Sequence, residues 1–260
     1  MLANRVVAPE HNLLTVATRE IGRRAQAGQF AQIRVPGGAV FLPRPFSFLS
    51  AEVDRCTFLS RAIGPGTRAL AALAAGAELD LLGPLGHGFD LAAAAAAGEV
   101  IVVGGGVGVP PLVHAAAELA PLTGTALIGA ARAGYLLCEK EFADFGWQVH
   151  VATDNGSRGH HGFVTDLLEQ SLATATARDE PPVTVLACGP HPMLHRCAEI
   201  AAATGVACQV AMEEPMACGF GVCLGCAIRV YTPNPDDPAG PAYALVCRDG
   251  PVFPAGNVLW

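Results

Sequence analysis

The stretch Val100-Ile-Val-Val-Gly-Gly-Gly-Val-Gly-Val-Pro-Pro111 is the most informative one in the chain for its fold. Its apolar start predicts a strand buried on both faces, as in a parallel sheet. The glycines predict a tight loop, and proline suits the first turn of a following helix. Such a loop binds pyrophosphate, so Gly104, Gly106 and Gly108 are candidate binding residues. A simple strand–helix turn is the alternative, because Val109 stands at the third glycine position of G-x-G-x-x-G.

Strand-like and helix-like segments alternate around this stretch, from residue 98 to residue 211. Further strands are predicted at Thr125–Ala130, Gln148–Ala152, Val183–Ala187 and Ala207–Ala211. Helices are predicted at Pro111–Ala120, Phe163–Ser171 and Pro192–Ala203. This alternation is typical of an α/β domain with a doubly wound parallel sheet and helices on both of its faces.

Two more loops are expected at the same edge of this sheet, where such sheets bind ligands. One loop contains Asp154, and the other contains Cys188, Gly189 and Pro190. Three loops at one edge are stronger evidence for a ligand site than any one of them. Cys188 is the candidate catalytic residue in this crevice, and a buried cysteine at the start of a helix is the alternative.

Residues 1–92 are expected to form a β-rich domain, a small barrel or sandwich, because short apolar runs alternate with glycine and proline clusters. The runs are Leu13–Ala17, Phe30–Val35, Cys56–Leu59 and Glu78–Leu82. One helix is predicted from Thr67, as its N-cap, to about Ala75. The alanines at 92–97 predict a short helix or linker at the domain boundary.

Arg44 and Ser47 lie three residues apart on a segment that prolines keep extended. An arginine fork pairs with phosphate oxygens, and a serine hydroxyl adds a further hydrogen bond. Residues 64–67, at the start of the predicted helix, offer a second anion site. An exposed arginine is more often a solvated surface charge, which is the alternative interpretation.

Residues 212–260 contain a cysteine pattern of a different kind. Cys218, Cys223, Cys226 and Cys247 follow the spacing C-x4-C-x2-C with a distant fourth cysteine. This is the spacing of plant-type [2Fe–2S] sites, and the glycines between them let the loop wrap a compact cluster. Structural zinc is the alternative, although zinc sites usually carry two C-x2-C-like pairs. The sequence therefore predicts a small iron–sulfur module at 212–260.

Composition excludes several classes of function. The 260 residues carry a net charge of −7, which argues against a nucleic-acid partner. The mean hydropathy of +0.39 raises the question of a membrane span. The longest stretch without a charged residue, 100–117, contains glycines and prolines that would break a spanning helix. Met1–Glu10 lacks the apolar core of a signal peptide, so we expect a cytoplasmic protein whose nine cysteines are free or metal-bound.

Several of these segments together resemble a known family. Arg44–Ser47, Gly104–Pro111, Cys188–Pro190 and the terminal cysteines occur in the order of ferredoxin–NADP reductase-like proteins with a C-terminal [2Fe–2S] domain. The resemblance is closest to the PyrK family, the electron-transfer subunits of class 1B dihydroorotate dehydrogenase. The segments that carry it are Leu81–Phe89, Thr153–Ser157, Gly162–Asp166, Glu213–Cys226 and Val246–Phe253. It extends over nearly the whole chain.

The resemblance implies which residues hold the cofactors. FAD would lie on Arg44, Pro45, Phe46 and Ser47, on Leu59, Ser60 and Arg61, and on Gly66 and Thr67. Family members usually carry an aromatic residue where this chain has Ser60. Arg132 would contact a 2′-phosphate or face solvent, and the choice between NAD and NADP stays open.

The resemblance also implies a function and a partner. Electrons from dihydroorotate, oxidised at FMN in a separate catalytic subunit, would pass through the cluster and FAD to NAD+, in a heterotetramer of two plus two subunits. A subunit of a ferredoxin–NAD(P) reductase or of a hydrogenase with the same architecture is the first alternative, and a redox sensor that uses the cluster alone is the second. Phe220, Val222 and Leu224 are expected to form an exposed apolar face that docks the catalytic subunit. Inward packing of these side chains is the alternative.

Overall fold

Six antiparallel strands of the N-terminal domain form a barrel in the computed structural model, which describes residues 1–38, 40–177, 182–231 and 241–260. The elements are β1 (Ala3–Ala8), β2 (His11–Ala17), α1 (Glu20–Arg24), β3 (Phe30–Arg34), β4 (Arg44–Ala51), β5 (Arg55–Arg61), α2 (Pro65–Ala71), β6 (Asp80–Leu85) and α3 (Leu91–Ala97). The strand order is β1-β2-β5-β4-β3-β6. Phe48 and Phe58 meet in the barrel core with ring centroids 5.2 Å apart.

The barrel confirms the four predicted strands and adds β1 and β4. The predicted helix at Thr67 needs a correction, because α2 begins at Pro65 and ends at Ala71. Its N-cap is Gly64, and Thr67 is the third helical residue. The Thr67 hydroxyl accepts a hydrogen bond from the Gly64 amide and donates one to the Gly64 carbonyl. Thr67 therefore closes the first turn from inside the helix.

The second sheet has seven strands in the order β10-β9-β8-β7-β11-β12-β15. Its elements are β7 (Glu99–Gly105), α4 (Pro110–Leu119), β8 (Thr125–Ala130), α5 (Glu139–Asp144), β9 (Gln148–Thr153), β10 (His160–His161), α6 (Val164–Ala177), β11 (Val183–Cys188), α7 (His191–Thr204) and β12 (Ala207–Ala211). The six strands from β7 to β12 are parallel, as predicted. One face of the sheet packs on α6 and α7, and the other packs on α3, α4 and α5.

The C-terminal segment is attached to this sheet. It contains β13 (Ala227–Tyr231), β14 (Pro241–Leu245) and β15 (Val252–Pro254). The first two strands pair with each other, and β15 pairs antiparallel with β12. The sheet thus extends past residue 211 by one strand from the cluster module. Most of the proline-rich stretch 233–241 lies outside the described residues.

Among the described residues, no helix combines the length and the apolar character that a membrane crossing requires.

Candidate active site and cluster loop

A cavity of about 470 Å³ lies between the barrel and the segment that follows β12. Six residues that were predicted to bind FAD line it, and they come from β4, β5 and α2: Pro45, Phe46, Ser47, Leu59, Arg61 and Thr67. Phe30, Val107, Met212 and Glu213 complete much of its wall. The cavity is therefore shared by the barrel, the glycine loop and the start of the cluster module.

Arg44 is the first residue of β4, and its side chain lies beside this cavity, against the first turn of α2. Its Nη1 donates to the carbonyl oxygens of Leu42 and Pro43. A Cβ on Gly66 would lie 3.2 Å from Arg44 Nε, so glycine leaves room for the guanidinium at this point. Within the described ranges, no carboxylate forms an ion pair with Arg44. The backbone carbonyls therefore orient the Arg44 guanidinium, and its positive charge suits it to bind a phosphate group.

Ser60 does not line this cavity. Neighbouring residues on a strand point to opposite faces, and its neighbours Leu59 and Arg61 face the cavity. Ser60 is buried, and its Oγ has no hydrogen-bond partner in the described part of the chain. A role for Ser60 toward a flavin would therefore act through the strand backbone.

A second cavity, of about 570 Å³, lies at the carboxyl edge of the parallel sheet. Its lining includes three of the predicted nucleotide-binding residues: Gly106, Asp154 and Pro190. Gly106 has a φ of +54°, and no atom lies within 4 Å of the position of a Cβ on this residue. The glycine loop thus presents open backbone to the cavity, which fits close approach of a pyrophosphate.

The other predicted glycines serve packing. A Cβ on Gly108 would lie 2.7 Å from the carbonyl oxygen of Cys188 and equally close to Gly189. A Cβ on Gly104 would press on Val109 and Leu112. The glycine loop and the loop after β11 therefore lie in direct backbone contact at Gly108, and a side chain at this position would separate them.

Cys188 lies at the end of β11 with its carbonyl oxygen against Gly108 and lines neither cavity, whereas Glu213 lines the first one. Cys188 is fully buried at the end of β11, and burial followed by the nearby Glu213 carboxyl raises the pKa of its thiol well above the usual value. The Cys188 thiol is therefore neutral and serves as a small, polarizable, apolar group. Glu213 lines the first cavity as an exposed residue, and desolvation raises the pKa of its carboxyl.

The four cysteines of the C-terminal module lie as two pairs. The Cys223 amide donates to the sulfur of Cys218 at 3.5 Å, and the Cys247 amide donates to the sulfur of Cys226 at 3.4 Å. No group of three or more ligand side chains converges on a single-ion position in the described ranges. Two pairs match a cluster of two irons, each held by two thiolates, better than one tetrahedral zinc ion.

The backbone of the cluster loop supports thiolates. Burial alone would raise the pKa of Cys218, but hydrogen bonds from the amides of Cys223, Phe220 and Val222 outweigh it and lower the pKa to about 6. Gly219, Gly221 and Leu224 have positive φ, which turns the loop around the sulfurs. Amide donors aimed at sulfur are the setting of an iron–sulfur cluster.

The apolar side chains of this loop are exposed, as predicted. Phe220, Val222 and Leu224 are 53%, 72% and 64% exposed. Inward packing is therefore the wrong interpretation for these three residues. A contiguous apolar loop around the ligands offers a surface for a partner.

The sequence patterns missed several residues near the cavities. Glu213 was not predicted as a site residue, and its place two residues after the parallel strand β12 was the available signal. The exposed Arg132 donates a hydrogen bond to the Tyr135 hydroxyl and lies over its ring, and Arg61 lies over the same ring. Asp166 lines the second cavity and bonds His160 at 3.0 Å.

Comparison with solved structures defines the class of protein. The chain superposes on the structure of an NADH-dependent reduced ferredoxin–NADP oxidoreductase with a TM-score of 0.81 and 25% identity, covering 100% of this chain and 88% of the other. A ferredoxin–NADP+ reductase from Neisseria gonorrhoeae with bound FAD and NADP has a TM-score of 0.60 at 17% identity, covering 78% and 89%. Barrel, parallel sheet and cysteine module are together those of a ferredoxin–NADP reductase-like flavoprotein with an iron–sulfur module.

Sequence comparison narrows this class. The profile of the iron–sulfur cluster binding domain of dihydroorotate dehydrogenase B matches residues 213–259. The dihydroorotate dehydrogenase B (NAD(+)) electron transfer subunit of Caldanaerobacter subterraneus subsp. tengcongensis is 36% identical over 100% of this chain and 97% of its own length. The electron transfer subunit of Geobacillus kaustophilus is 38% identical over 99% of this chain and 96% of its own length. The chain belongs to the family of dihydroorotate dehydrogenase B (NAD(+)) electron transfer subunits.

Proposed function

We propose that this chain is the electron-transfer subunit of an NAD-dependent dihydroorotate dehydrogenase in pyrimidine (UMP) biosynthesis. It carries electrons from the FMN of a catalytic subunit to NAD+ by way of a [2Fe–2S] cluster and FAD. The observation that carries the proposal is the order of the three sites. The flavin cavity is bounded by the glycine loop on one side, at Val107, and by the start of the cluster module on the other, at Met212–Met216.

The residues of the first cavity fit FAD. Arg44, beside Gly66 and α2, would hold a phosphate, and Ser47 and Thr67 would add hydroxyl groups. Pro45, Phe46 and Leu59 supply apolar walls for a flat ring, and Glu213 places an acid at the same wall. FAD bound there supplies the exchange between two-electron and single-electron transfers, whereas a [2Fe–2S] cluster carries single electrons.

The second cavity fits a nicotinamide dinucleotide. Gly106 would receive the pyrophosphate, and Asp154 would accept hydrogen bonds from sugar hydroxyls. The buried Cys188 would close the crevice toward the flavin cavity without carrying a charge. NAD is the proposed acceptor, and Arg132 is already occupied by the Tyr135 ring and hydroxyl.

The cluster module supplies the ligands and the docking surface. Cys218 and Cys223 would hold one iron, and Cys226 and Cys247 the other. The exposed face of Phe220, Val222 and Leu224 would dock the FMN-containing subunit in an assembly of two plus two chains. None of the nine cysteines forms a disulfide, which supports the cytoplasm as the place of this chain.

The test is dihydroorotate-dependent reduction of NAD+ by the complex of this chain with an FMN-containing catalytic subunit encoded beside it. The isolated chain is expected to reduce dyes with NADH and to leave dihydroorotate unchanged, since its described residues form no FMN-binding barrel. Reduction of NAD+ with ferredoxin or hydrogen instead, and none with dihydroorotate, would favour a ferredoxin–NAD(P) reductase or a hydrogenase subunit. The full-length similarity to the structure of the NADH-dependent ferredoxin–NADP oxidoreductase makes this alternative worth assaying in parallel.

A further inference from the structure

Gln32 is a buried polar side chain with no partner of its own. It lies in the middle of β3 and is 2% exposed. Neither its Nε2 nor its Oε1 forms a hydrogen bond within the described part of the chain. Buried amides are almost always hydrogen-bonded, because leaving them unpaired costs stability. An amide with both ends free in this position therefore indicates a partner outside the polypeptide.

The neighbours of Gln32 place it between the two proposed redox sites. On β4 its partner is Pro45, a wall residue of the flavin cavity. On the other side it packs against Gly219, the residue after Cys218. A Cβ on Gly219 would lie 2.6 Å from Gln32 Cγ and 2.7 Å from Nε2. Two features therefore favour glycine at position 219: the Gln32 amide leaves no room for a Cβ, and φ is +82°.

We propose that Gln32 is a positioning residue for the iron–sulfur cluster, whose side-chain amide donates an N–H···S hydrogen bond to the sulfur atoms held at the Cys218–Gly219 turn. The amide nitrogen is the end of the side chain that contacts Gly219. Thiolate and sulfide sulfurs carry negative charge and accept such bonds. Amide donors stabilise the more negative, reduced state of a cluster and so raise its reduction potential.

The inference rests on the proposed cluster but on neither the partner subunit nor its substrate. Gln32→Met removes both polar atoms while keeping an unbranched side chain of similar length. Gln209→Met is the matched control, because the Gln209 amide is already satisfied by the backbone of Asp90. Iron, sulfide and FAD contents are measured first, so that failure of the cluster assignment is distinguished from failure of this one.

The experiment is a redox titration of the cluster, followed by electron paramagnetic resonance, in the purified complex. Gln32→Met is expected to shift the ratio of reduced to oxidised cluster at a fixed potential by about tenfold toward oxidised, which is about 59 mV for one electron. In Gln32→Met, the reduction potential of FAD is expected to stay at its wild-type value. In Gln209→Met, the reduction potential of the cluster is expected to do the same. An unchanged cluster potential, or a shift confined to FAD, would overturn the proposal.

A second measurement needs no folded variant. Wild-type protein is labelled with ¹⁵N in glutamine side-chain amides only, and the reduced cluster is examined by pulsed electron paramagnetic resonance. A ¹⁵N coupling is expected, because the Gln32 amide would be hydrogen-bonded to a sulfur ligand. A cluster that forms with full iron content and shows no such coupling would contradict the proposal, whatever Gln32→Met does to folding.

Discussion

The guanidinium of Arg61 lies over the ring of Tyr135, with Cζ 5.5 Å from the ring centroid. Arg61 ends the barrel strand β5, whereas Tyr135 follows β8 in the parallel sheet. His11 also meets Tyr135, edge to face at 5.9 Å. The contact therefore joins the two cofactor domains through a residue that lines the flavin cavity.

This contact predicts a measurable coupling between the domains. In a double-mutant cycle of Arg61→Ala and Tyr135→Ala, we expect a coupling energy of about 0.5–1 kcal/mol, the range for a cation–π pair at an accessible site. The free energy of unfolding, from urea denaturation of the cofactor-free chain, is the measurement. Additive effects of the two substitutions would show that the ring and the guanidinium are merely adjacent.

Arg44→Ala is expected to weaken FAD binding while leaving the fold stable. Loss of a charge-assisted contact costs about 1.5–3 kcal/mol, which corresponds to about 10- to 150-fold in affinity. FAD retained after gel filtration, and its dissociation constant, are the readouts. Arg34→Ala, at an exposed arginine beside Asp80, is the control and should retain FAD. Equal retention by both variants would make Arg44 an ordinary surface charge.

Alanine at Cys218, Cys223, Cys226 or Cys247 is expected to abolish or destabilise the cluster in each case, because each thiolate supplies half of one iron's protein ligands. The intact chain should contain about two irons and two acid-labile sulfides. Cys197→Ala, at a buried cysteine within α7, is the control that keeps its iron. Tightly bound zinc without sulfide in the intact chain would rule out the cluster.

Leu224→Glu is expected to disrupt docking of the catalytic subunit without unloading the cluster. A charge at a 64% exposed apolar position costs the free chain little but is desolvated in an interface. Complex formation and dihydroorotate-driven NAD+ reduction should fall, while NADH-driven dye reduction persists. Val53→Glu, at a 62% exposed position in the turn between β4 and β5, should leave both activities intact. A joint loss of both activities and of iron in Leu224→Glu would show that the charge disturbs the cluster loop itself, which would contradict the docking role.

Glu213 predicts a pH dependence of FAD binding. Its pKa is already raised by desolvation, and a flavin over the cavity would cover its remaining exposure, which disfavours the carboxylate further. Binding then takes up a proton, so affinity falls as pH rises from the raised pKa of the free protein to the higher pKa of the complex. Glu213→Gln should flatten this slope in FAD titrations between pH 5 and 8, and the exposed Glu78→Gln should not. Parallel slopes for all three proteins would exclude Glu213 as the titrating group.

Local patterns were sufficient for the parallel sheet, and the cysteine ligands stay a prediction from their spacing. Strands such as β8 and β12 are short apolar runs bounded by turn residues, and the cysteine spacing is itself the signature. The strand β4 was missed because Pro43 and Pro45 argue against a central strand, yet β4 lies between β5 and β3. Its prolines are accommodated at the end that borders the flavin cavity.

The missed residues depend on contacts that are distant in sequence. Gln32 is an ordinary strand residue until Gly219 is brought against it, and Glu213 is an ordinary acid until the fold places it on the wall of the flavin cavity. Tyr135 likewise gains its position from Arg61 and His11 of the other domain. Periodicity and motif spacing report local structure, so they carry no signal for such pairs.

The strand β15 follows Cys247, the last of the predicted cluster ligands, by only a few residues and completes the edge of the nicotinamide sheet beside β12. A chimaera joined at residue 211 would therefore exchange an edge strand together with the cysteines. Its donor module would have to match the β12 backbone register as well as the docking loop. Exchanges confined to 213–250 would leave the native edge in place. Because β15 belongs both to the cluster module and to the nicotinamide sheet, the cluster module cannot be exchanged as an independent unit.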